Sequence, residues 1–264
     1  MKSFAKNRPD PLGVALDVAR EAGALLLDYV RRPLNIAQKA RRADLVTDAD
    51  RAAEALILRR LRAEFPRSTV VAEESGMHAG DSDERWYVDP LDGTTNFAHG
   101  YPVFCVSIGY ERAGELVAGV VYAPFYDELY AAEKGAGATL NGTRLSVSAI
   151  DRVGDALTCT GFHPADFARN GEYFAVMSGS AQAVRRDGSA ALDLAAVAAG
   201  RFDGFWEFDL HAWDVAAGSV LIREAGGTVT AIDGALFETA AGSILATNGR
   251  IHEEMKTILS VGSE

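Results

Sequence analysis

Asp89 and Asp92 flank a Pro-Leu pair directly after an apolar run, and Gly93 to Asn96 follow them. A strand end followed by a turn can direct two carboxylates and the intervening carbonyls at one point, and such oxygen ligands suit Mg²⁺. The segment from Gly93 reads as the first turn of a short helix, whose backbone N–H groups could hold a phosphate. Because Asp-Pro and Asp-Gly are common turn dipeptides, the spacing alone leaves a plain turn equally open.

Other acidic residues stand where chemistry is possible but where an ordinary structural role also suffices. Glu73 and Glu74 follow a second apolar run, and a solvated loop edge is the default interpretation for them. Asp214 lies near a helix start, where an acidic residue complements the helix dipole without any further function. Thr47 and Asp50 have the spacing of a helix capping box, which does not exclude a second role for Asp50.

The elements that must position these residues follow from periodicity, caps and turn signals. The apolar spacing predicts helices at about 11–31, 48–65, 164–177, 190–199 and 213–225, and one from residue 250. Strands are predicted at 69–72, 86–88, 103–110, 116–122, 128–132, 138–140, 143–145, 156–161, 202–207, 228–231 and 243–247. The pattern favours a largely antiparallel meander after two helices, then alternating segments, so we expect helices layered with two sheets.

The chain has 264 residues and a formal net charge of −11. The acidic balance argues against a direct grip on nucleic acid or on an anionic membrane. If the substrate is an anion, bound cations must offset this charge. No apolar stretch is long enough to span a membrane, and the basic start lacks the apolar run of a signal peptide, so we expect a cytoplasmic protein. Cys105 and Cys159 lie in apolar runs, which favours two buried thiols over a disulfide or a metal site.

Taken together, these segments resemble the inositol monophosphatase family, within the lithium-sensitive, magnesium-dependent phosphatase superfamily. The matched segments, in the family's order, are residues 44–50, 73–74, 89–96, 188–193, 213–218 and 224–227. The resemblance implies an α+β or α/β layered fold, an alternating helix–sheet–helix–sheet–helix sandwich of the sugar-phosphatase type. Its N-terminal α+β half, residues 1–150, would carry the metal-binding motifs. The C-terminal α/β half, residues 151–264, would supply Asp214 and Glu207 to one compact unit.

The resemblance also implies two to three Mg²⁺ ions, with Li⁺ as an inhibitor that competes at a weak metal position. Glu73, Asp89 and the Leu91 carbonyl would hold the first ion, and Asp89, Asp92 and Asp214 the second. A third, weaker ion would lie near Glu73. The cations would reverse the sign of a site that otherwise repels a phosphate dianion.

The remaining roles also follow from the resemblance, residue by residue. Thr94 and Asp50, with Glu73, would form the catalytic set that orients and deprotonates the attacking water. The implied substrate-binding residues are Gly93, Thr94 and Thr95 for the phosphate, Glu207, Ala190 and Asp214 for the alcohol, and Arg185 as a substrate or interface contact.

The implied reaction is Mg²⁺-dependent hydrolysis of a phosphate monoester, with myo-inositol 1-phosphate as the leading substrate and a homodimer as the assembly. Glu207 favours a neutral polyol over a second phosphate, which would prefer a cation. Relatives with the same metal core act on fructose 1,6-bisphosphate, histidinol phosphate, nucleotide 3′-phosphates or NADP, and these alternatives stay open. A regulatory scaffold that binds a protein partner is the alternative of another class, and a complete set of metal ligands speaks against it as the sole function.

Overall fold

The computed structural model describes residues 9–32, 34–39, 45–240 and 242–260, so Asp44 of the first matched segment lies outside it. The helices are α1 Pro11–Val30, α2 Asp48–Glu64, α3 Thr94–Ala98, α4 Phe167–Ser180, α5 Ala190–Ala198, α6 Ala212–Glu224 and α7 His252–Ser260. The strands are β1 Ile36–Gln38, β2 Leu45–Thr47, β3 Thr69–Ala72, β4 Gly76–His78, β5 Glu84–Asp92, β6 Cys105–Arg112, β7 Glu115–Ala123, β8 Glu128–Glu133, β9 Gly137–Leu140, β10 Thr143–Arg144, β11 Leu157–Thr160, β12 Ala183–Arg185, β13 Gly204–Phe208, β14 Thr228–Thr230 and β15 Ser243–Thr247.

Two large sheets and three helical layers alternate through the molecule. The first sheet has the strand order β10-β9-β8-β7-β6-β5-β3-β4, and the second has the order β12-β11-β13-β15-β14. Helices α1 and α2 pack on one face of the first sheet, and α5 and α6 lie between the two sheets. Helices α4 and α7 cover the outer face of the second sheet. This is the predicted helix–sheet–helix–sheet–helix sandwich, because each sheet buries both of its faces.

Two helix caps, both predicted from the sequence, determine where α1 and α2 begin. The Asp10 side chain accepts hydrogen bonds from the backbone N–H groups of Leu12 and Gly13 at 3.2 and 3.1 Å, and Pro11 begins α1. Thr47 and Asp50 form the predicted capping box at the start of α2. Each cap satisfies N–H groups that have no partner within the helix, which is why both helix starts are confirmed to the residue.

The elements that the sequence did not predict are short strands at the margins of the sheets. Strands β1, β2, β4 and β12 have three residues each, too few to show an alternating pattern. Strands β1 and β2 form a separate antiparallel pair. The meander prediction holds from β5 to β10, whereas β3 pairs with β5 in parallel. Across the described part of the chain, no helix has the length and apolar character to cross a bilayer.

Candidate active site

A bulge in β5 brings Asp89 and Asp92 to the same side of the sheet. Asp89 pairs with Ser107 of β6 and Asp92 pairs with Cys105, so β5 advances three positions where β6 advances two. Residues three apart in a regular strand point to opposite faces. The extra residue of the bulge brings Asp92 back to the same face as Asp89. Pro90 has no N–H to donate and is tolerated at the bulge. The strand predicted at 86–88 therefore extends further, since the segment stays in the sheet up to Asp92 and the turn comes only after it.

Four carboxylates from three elements meet at this bulge: Glu73, Asp89, Asp92 and Asp214. Glu73 directly follows β3, and its N–H donates to the Val88 carbonyl oxygen at 3.1 Å. Burial, followed by the charges of Glu73, Asp92 and Asp214, raises the pKa of Asp89 well above its usual range. Burial also raises the pKa of Glu73 to about 7. The site therefore concentrates negative charge that the fold alone does not neutralise.

Asp92 is held in place by the start of α5. Its Oδ2 atom accepts hydrogen bonds from Ser189 Oγ and from the Ala191 N–H, both at 2.7 Å. Burial and the charge of Asp214 raise the pKa of Asp92 to about 6, and these hydrogen bonds oppose the rise. The carboxylate is thus oriented from the C-terminal half of the chain, while its backbone belongs to the N-terminal half.

Lys39, in the segment after β1, supplies a cation to the acidic side of the site. Its Nζ atom lies 2.8 Å from Glu73 Oε1 and 2.6 Å from Glu74 Oε1. Burial lowers the pKa of Lys39, but the two carboxylates outweigh it and raise the pKa overall. The same ammonium opposes the rise in the pKa of Glu73. Lys39 therefore balances part of the negative charge in the described arrangement.

Asp50 and Thr94 form a hydrogen-bonded pair at the edge of the carboxylate cluster. Asp50 Oδ2 accepts from the N–H and Oγ1 of Thr47 at 2.8 and 2.6 Å, which leaves Oδ1 for Thr94. Thr94 Oγ1 lies 2.9 Å from Asp50 Oδ1 and 3.0 Å from the Leu91 carbonyl oxygen. Since Thr94 has one hydroxyl proton and two lone pairs, it can donate to Asp50 and still accept from a water.

Gly93 allows the chain to leave β5 and begin α3 at once. Its φ is 91°, in the left-handed region that favours glycine, and a Cβ atom there would lie 2.7 Å from the Val103 carbonyl oxygen. The turn places the N–H groups of Gly93, Thr94 and Thr95 at the start of a short helix. N–H groups in the first turn have no carbonyl partner inside the helix.

Asp214 is the third residue of α6, and close helix-to-sheet packing sets its position. Its Oδ2 atom accepts a hydrogen bond from the His211 N–H at 2.7 Å. Beneath the helix, a Cβ atom added at Gly109 of β6 would lie 2.6 Å from Ala216 Cβ. A Cβ atom added at Gly119 of β7 would lie 2.5 Å from the Ala217 carbonyl oxygen. The two glycines therefore let α6 approach the sheet that carries the other carboxylates.

A cavity of about 350 Å³ opens beside the carboxylates. The predicted site residues that line it are Asp92, Thr95, Ala190, Glu207 and Asp214. Burial, followed by the charges of Asp214 and Asp92, raises the pKa of Glu207 well above its usual range. The structure thus places the predicted alcohol-binding residues around one space that adjoins the predicted metal ligands.

Arg185 does not line this cavity, and its role as a substrate or interface contact stays a prediction. Its side chain is exposed on the edge strand β12 and donates to the Val184 carbonyl oxygen at 3.2 Å. The next residue, Arg186, lines the cavity instead, and its guanidinium lies 4.4 Å from the centroid of the Phe162 ring. Arg185 ends a short strand and Arg186 follows it, and two adjacent arginines give no sequence signal as to which lines the cavity.

Sequence reasoning also missed Lys39 and Asp193. Lys39 lies far from Glu73 in the chain, and its segment has no pattern that indicates a contact. Asp193 lines the cavity and did have a signal, because it is the charged residue within the otherwise apolar helix α5. A buried charge on an apolar face is informative in a way that an exposed one is not.

The chemistry of the carboxylate cluster fits a hard divalent cation. Glu73, Asp89, Asp92 and Asp214 offer oxygen ligands, and burial disfavours the ionised forms of Glu73, Asp89 and Asp92. Within the described residues, no three His, Cys, Asp or Glu side chains already converge as ligands of one ion. In this arrangement Asp92 and Asp214 accept hydrogen bonds, and Glu73 forms an ion pair with Lys39.

Comparisons with known proteins identify the family of the chain. The sequence model of the inositol monophosphatase family matches residues 10–261 of this chain. An inositol-1-monophosphatase from Synechocystis sp. is 44% identical over 260 residues, which cover 96% of this chain and 91% of that protein. A Nus factor SuhB from Pseudomonas aeruginosa is 41% identical over 257 residues, which cover 94% of this chain and 95% of that protein.

The fold agrees with a solved structure as well. The crystal structure of the extragenic suppressor protein suhB from Bartonella henselae superposes with a TM-score of 0.90 at 42% identity. The match covers 94% of this chain and 97% of that one. The predicted fold and the predicted family are both confirmed. The chain belongs to the inositol monophosphatase family and is a phosphoric monoester hydrolase.

Proposed function

We propose that this chain hydrolyses the phosphate monoester of a polyol, with myo-inositol 1-phosphate as the leading substrate and Mg²⁺ as the metal. The observation that carries the proposal is the meeting of Glu73, Asp89, Asp92 and Asp214 beside a cavity that contains Glu207. The chain belongs to a family of phosphatases that are generally metal-dependent, and this membership supports the same assignment.

The metal set would consist of Glu73, Asp89, Asp92, Asp214 and the Leu91 carbonyl oxygen. When bound, Mg²⁺ would lower the pKa of a water and neutralise charge on the phosphate. The carboxylates would hold the cations, and the cations would balance the carboxylate charge. The site would then no longer repel an anionic substrate. We propose two to three ions, with inhibition by Li⁺ at the weakest position.

Asp50 and Thr94 would hold the attacking water. Thr94 Oγ1 donates to Asp50 Oδ1, so its lone pairs are free to accept a hydrogen bond from the water. This hydrogen bond would orient the water. Asp50 accepts the proton that the water releases by way of Thr94, and burial raises the pKa of Asp50 towards that task. The N–H groups of Gly93, Thr94 and Thr95 would donate to the phosphate oxygens.

The alcohol part of the substrate would lie in the cavity of about 350 Å³. The Glu207 carboxyl can accept hydrogen bonds from hydroxyl groups and would repel a second phosphate. This favours a neutral polyol over fructose 1,6-bisphosphate, nucleotide 3′-phosphates or NADP. Histidinol phosphate, which carries an amine, is the alternative among the related phosphatases that an acidic residue tolerates best.

The direct test is phosphate release from a panel of monoesters with Mg²⁺, then with EDTA, then with LiCl. Asp89→Asn and Asp214→Asn should each remove most activity while the unfolding temperature stays near that of the wild type. Asp81→Asn is the matched control, because Asp81 is an exposed carboxylate in a surface pair with Arg67. Near wild-type turnover of Asp214→Asn at saturating Mg²⁺, or a rate indifferent to EDTA, would refute the proposal.

The proposed assembly is a homodimer and the proposed location is the cytoplasm, with neither nucleic acid nor membrane as a direct partner. Light scattering of the purified chain tests the assembly. The Pseudomonas relative bears the name of a Nus factor, so a regulatory role is the second candidate. Asp214→Asn separates the two functions, since it removes hydrolysis and leaves the outer surface unchanged.

A further inference from the structure

Asp193 is a buried carboxyl group that forms no hydrogen bond or ion pair with the described residues. It lies in the first turn of α5 and is 2% exposed. No hydrogen bond or ion pair joins its carboxyl group to any other described residue. Burial and the charges of Asp187, Glu207 and Asp92 all raise its pKa, and no cation opposes them. A structural role would require a partner, and the described part of the chain supplies none to this carboxyl group.

The position of Asp193 connects it to the active site. Its side chain lines the cavity of about 350 Å³ together with Glu207 and Asp214. It also lines a second cavity of about 390 Å³, together with Asp187, Leu192 and Ala196. Burying a polar group without a hydrogen bond costs on the order of 2 kcal/mol or more, so such groups normally meet water or a ligand. The open side of Asp193 is the space where the alcohol of a substrate would lie.

The carboxyl group of Glu207 also lacks a described partner, and this limits the kinds of ligand that the cavity can bind. Its carboxyl group also forms no hydrogen bond or ion pair with another described side chain, and Gly161 leaves room for it. Arg186 lines the same cavity and disfavours a cationic ligand. Two carboxyl groups beside one guanidinium suit a neutral molecule with several hydroxyl groups, because each hydroxyl can both donate and accept a hydrogen bond.

We propose that Asp193 is a second alcohol-binding residue, which acts with Glu207 to select substrates whose alcohol carries several hydroxyl groups. The inference rests on the proposed function, since it concerns the alcohol of the same phosphate monoester. Glu207 would contact one hydroxyl group and Asp193 another, deeper in the cavity. A phosphate monoester without free hydroxyl groups would gain nothing from Asp193.

The test compares wild type, Asp193→Ala and Asp193→Asn on myo-inositol 1-phosphate and on 4-nitrophenyl phosphate, which has no free hydroxyl group. Asp193→Ala should lower kcat/KM for the inositol ester about 10- to 100-fold, chiefly through KM, as expected for one lost hydrogen bond to a carboxyl group. The ratio of the two substrates should shift by the same factor. Asp193→Asn keeps a polar group of the same shape and should recover part of the loss.

Asp187→Ala is the matched control, because Asp187 lines the second cavity but not the first. It should leave the substrate ratio unchanged, whereas a shift equal to that of Asp193→Ala would mean that the local field matters and no contact is made. Removing an unpaired buried carboxyl should leave the unfolding temperature unchanged or raise it. A fall in that temperature with equal losses on both substrates would show a structural role and overturn the inference.

The two proposals fail in different ways. If wild type releases phosphate from neither ester, the proposed function fails and the role of Asp193 falls with it. If wild type hydrolyses both esters and Asp193→Ala keeps their ratio, Asp193 makes no contact with the alcohol and only the present inference fails.

Discussion

Thr94 joins the proposed catalytic pair to the proposed metal site through a single hydroxyl group. Its Oγ1 atom lies within hydrogen-bonding distance of Asp50 and of the Leu91 carbonyl oxygen, which is a proposed metal ligand. One proton cannot serve both acceptors fully at the same time. If a cation binds the Leu91 oxygen, the hydroxyl proton turns towards Asp50, and the pair then has the orientation that water activation needs.

Thr94→Ala should therefore lower kcat about 10²- to 10⁴-fold, the usual contribution of a positioned acid or base. Thr94→Ser keeps the hydroxyl group and should retain activity within about tenfold. Steady-state kinetics at saturating Mg²⁺ measure both effects, and circular dichroism checks the fold. Equal losses in the two variants would mean that the methyl group, and not the hydroxyl group, is what the site requires.

Lys39 should matter most to the metal-free protein. Lys39→Gln removes the cation that lies 2.8 Å from Glu73, so the carboxylates repel one another with less compensation. We expect a lower unfolding temperature in EDTA and a much smaller difference at saturating Mg²⁺, which supplies the missing charge. Lys134→Gln, in the exposed pair with Glu115, is the control and should change neither value. An equal loss with and without Mg²⁺ would contradict this expectation.

At this scale, the sequence identifies the carboxylates but not their neighbours. The resemblance places Glu73, Asp89, Asp92 and Asp214 in one site, and the structure brings them together. Lys39 has no comparable signal, because its contact depends on how the β1–β2 pair lies against the end of β3. Contacts between segments far apart in the chain arise from packing, which no local pattern records.

Among the elements, helix α6 can lie close to the first sheet only because the residues beneath it, Gly109 and Gly119, have no side chains. Gly109 and Gly119 have no positive φ, so their role is close approach rather than backbone freedom. A helix that lies this near a sheet cannot move outward without moving its first turn. Asp214 is in that first turn, so the packing of the helix and the geometry of the site are coupled.

Gly119→Ala should thus lower both stability and activity. The new methyl group would overlap the Ala217 backbone, and overpacking of this kind costs about 1–3 kcal/mol of unfolding free energy. Gly179→Ala is the matched control, since nothing lies within 4 Å of its added Cβ atom and it should be neutral or slightly stabilising. Chemical denaturation and kcat measure the two effects. A stable Gly119→Ala variant with full activity would show that α6 adjusts without displacing Asp214.

The elements were predictable to the extent that their ends carry local chemistry. Asp10 and Thr47 cap helices by side-chain hydrogen bonds to nearby N–H groups, so their sequence signals suffice. The bulge between Asp89 and Asp92 could not be predicted, because it is defined only by the register against β6. The three-residue strands at the sheet margins likewise owe their conformation to a neighbour and not to their own pattern.

The stability of the whole molecule should depend on pH in a direction set by the site. The pKa of Glu73 rises from 4.5 to about 7 and that of Asp92 from 3.8 to about 6, with Lys39, Glu74 and Asp214 as charged neighbours. Between the unfolded and folded pKa values, the folded state binds more protons, so its stability falls as pH rises. The metal-free protein should lose unfolding temperature between about pH 4 and pH 7 through these two groups.

Mg²⁺ should reverse that dependence, because it binds the ionised carboxylates. The increase in unfolding temperature on adding Mg²⁺ should be small near pH 5 and should grow through pH 7. Thermal unfolding in EDTA and in Mg²⁺ across this range is the measurement. Asp214→Asn should flatten the curve, whereas the Asp81→Asn control should not. An Mg²⁺ effect that is constant with pH would argue against these carboxylates as the ligands.

The link from Asp92 to Ser189 and Ala191 has a consequence for how such an enzyme can diversify. Most of the residues proposed to carry out the reaction come from the earlier half of the chain, in α2, β5, α3 and the position after β3, and Asp214 of α6 is the exception. Arg186, Asp193 and Glu207, which line the cavity proposed for the alcohol, come from the later half. Mutations in that later half, outside Asp214, can therefore alter the choice of substrate while the proposed reaction chemistry is kept. Ser189 and Ala191 set the limit of this freedom, because a change that shifts the start of α5 also releases Asp92.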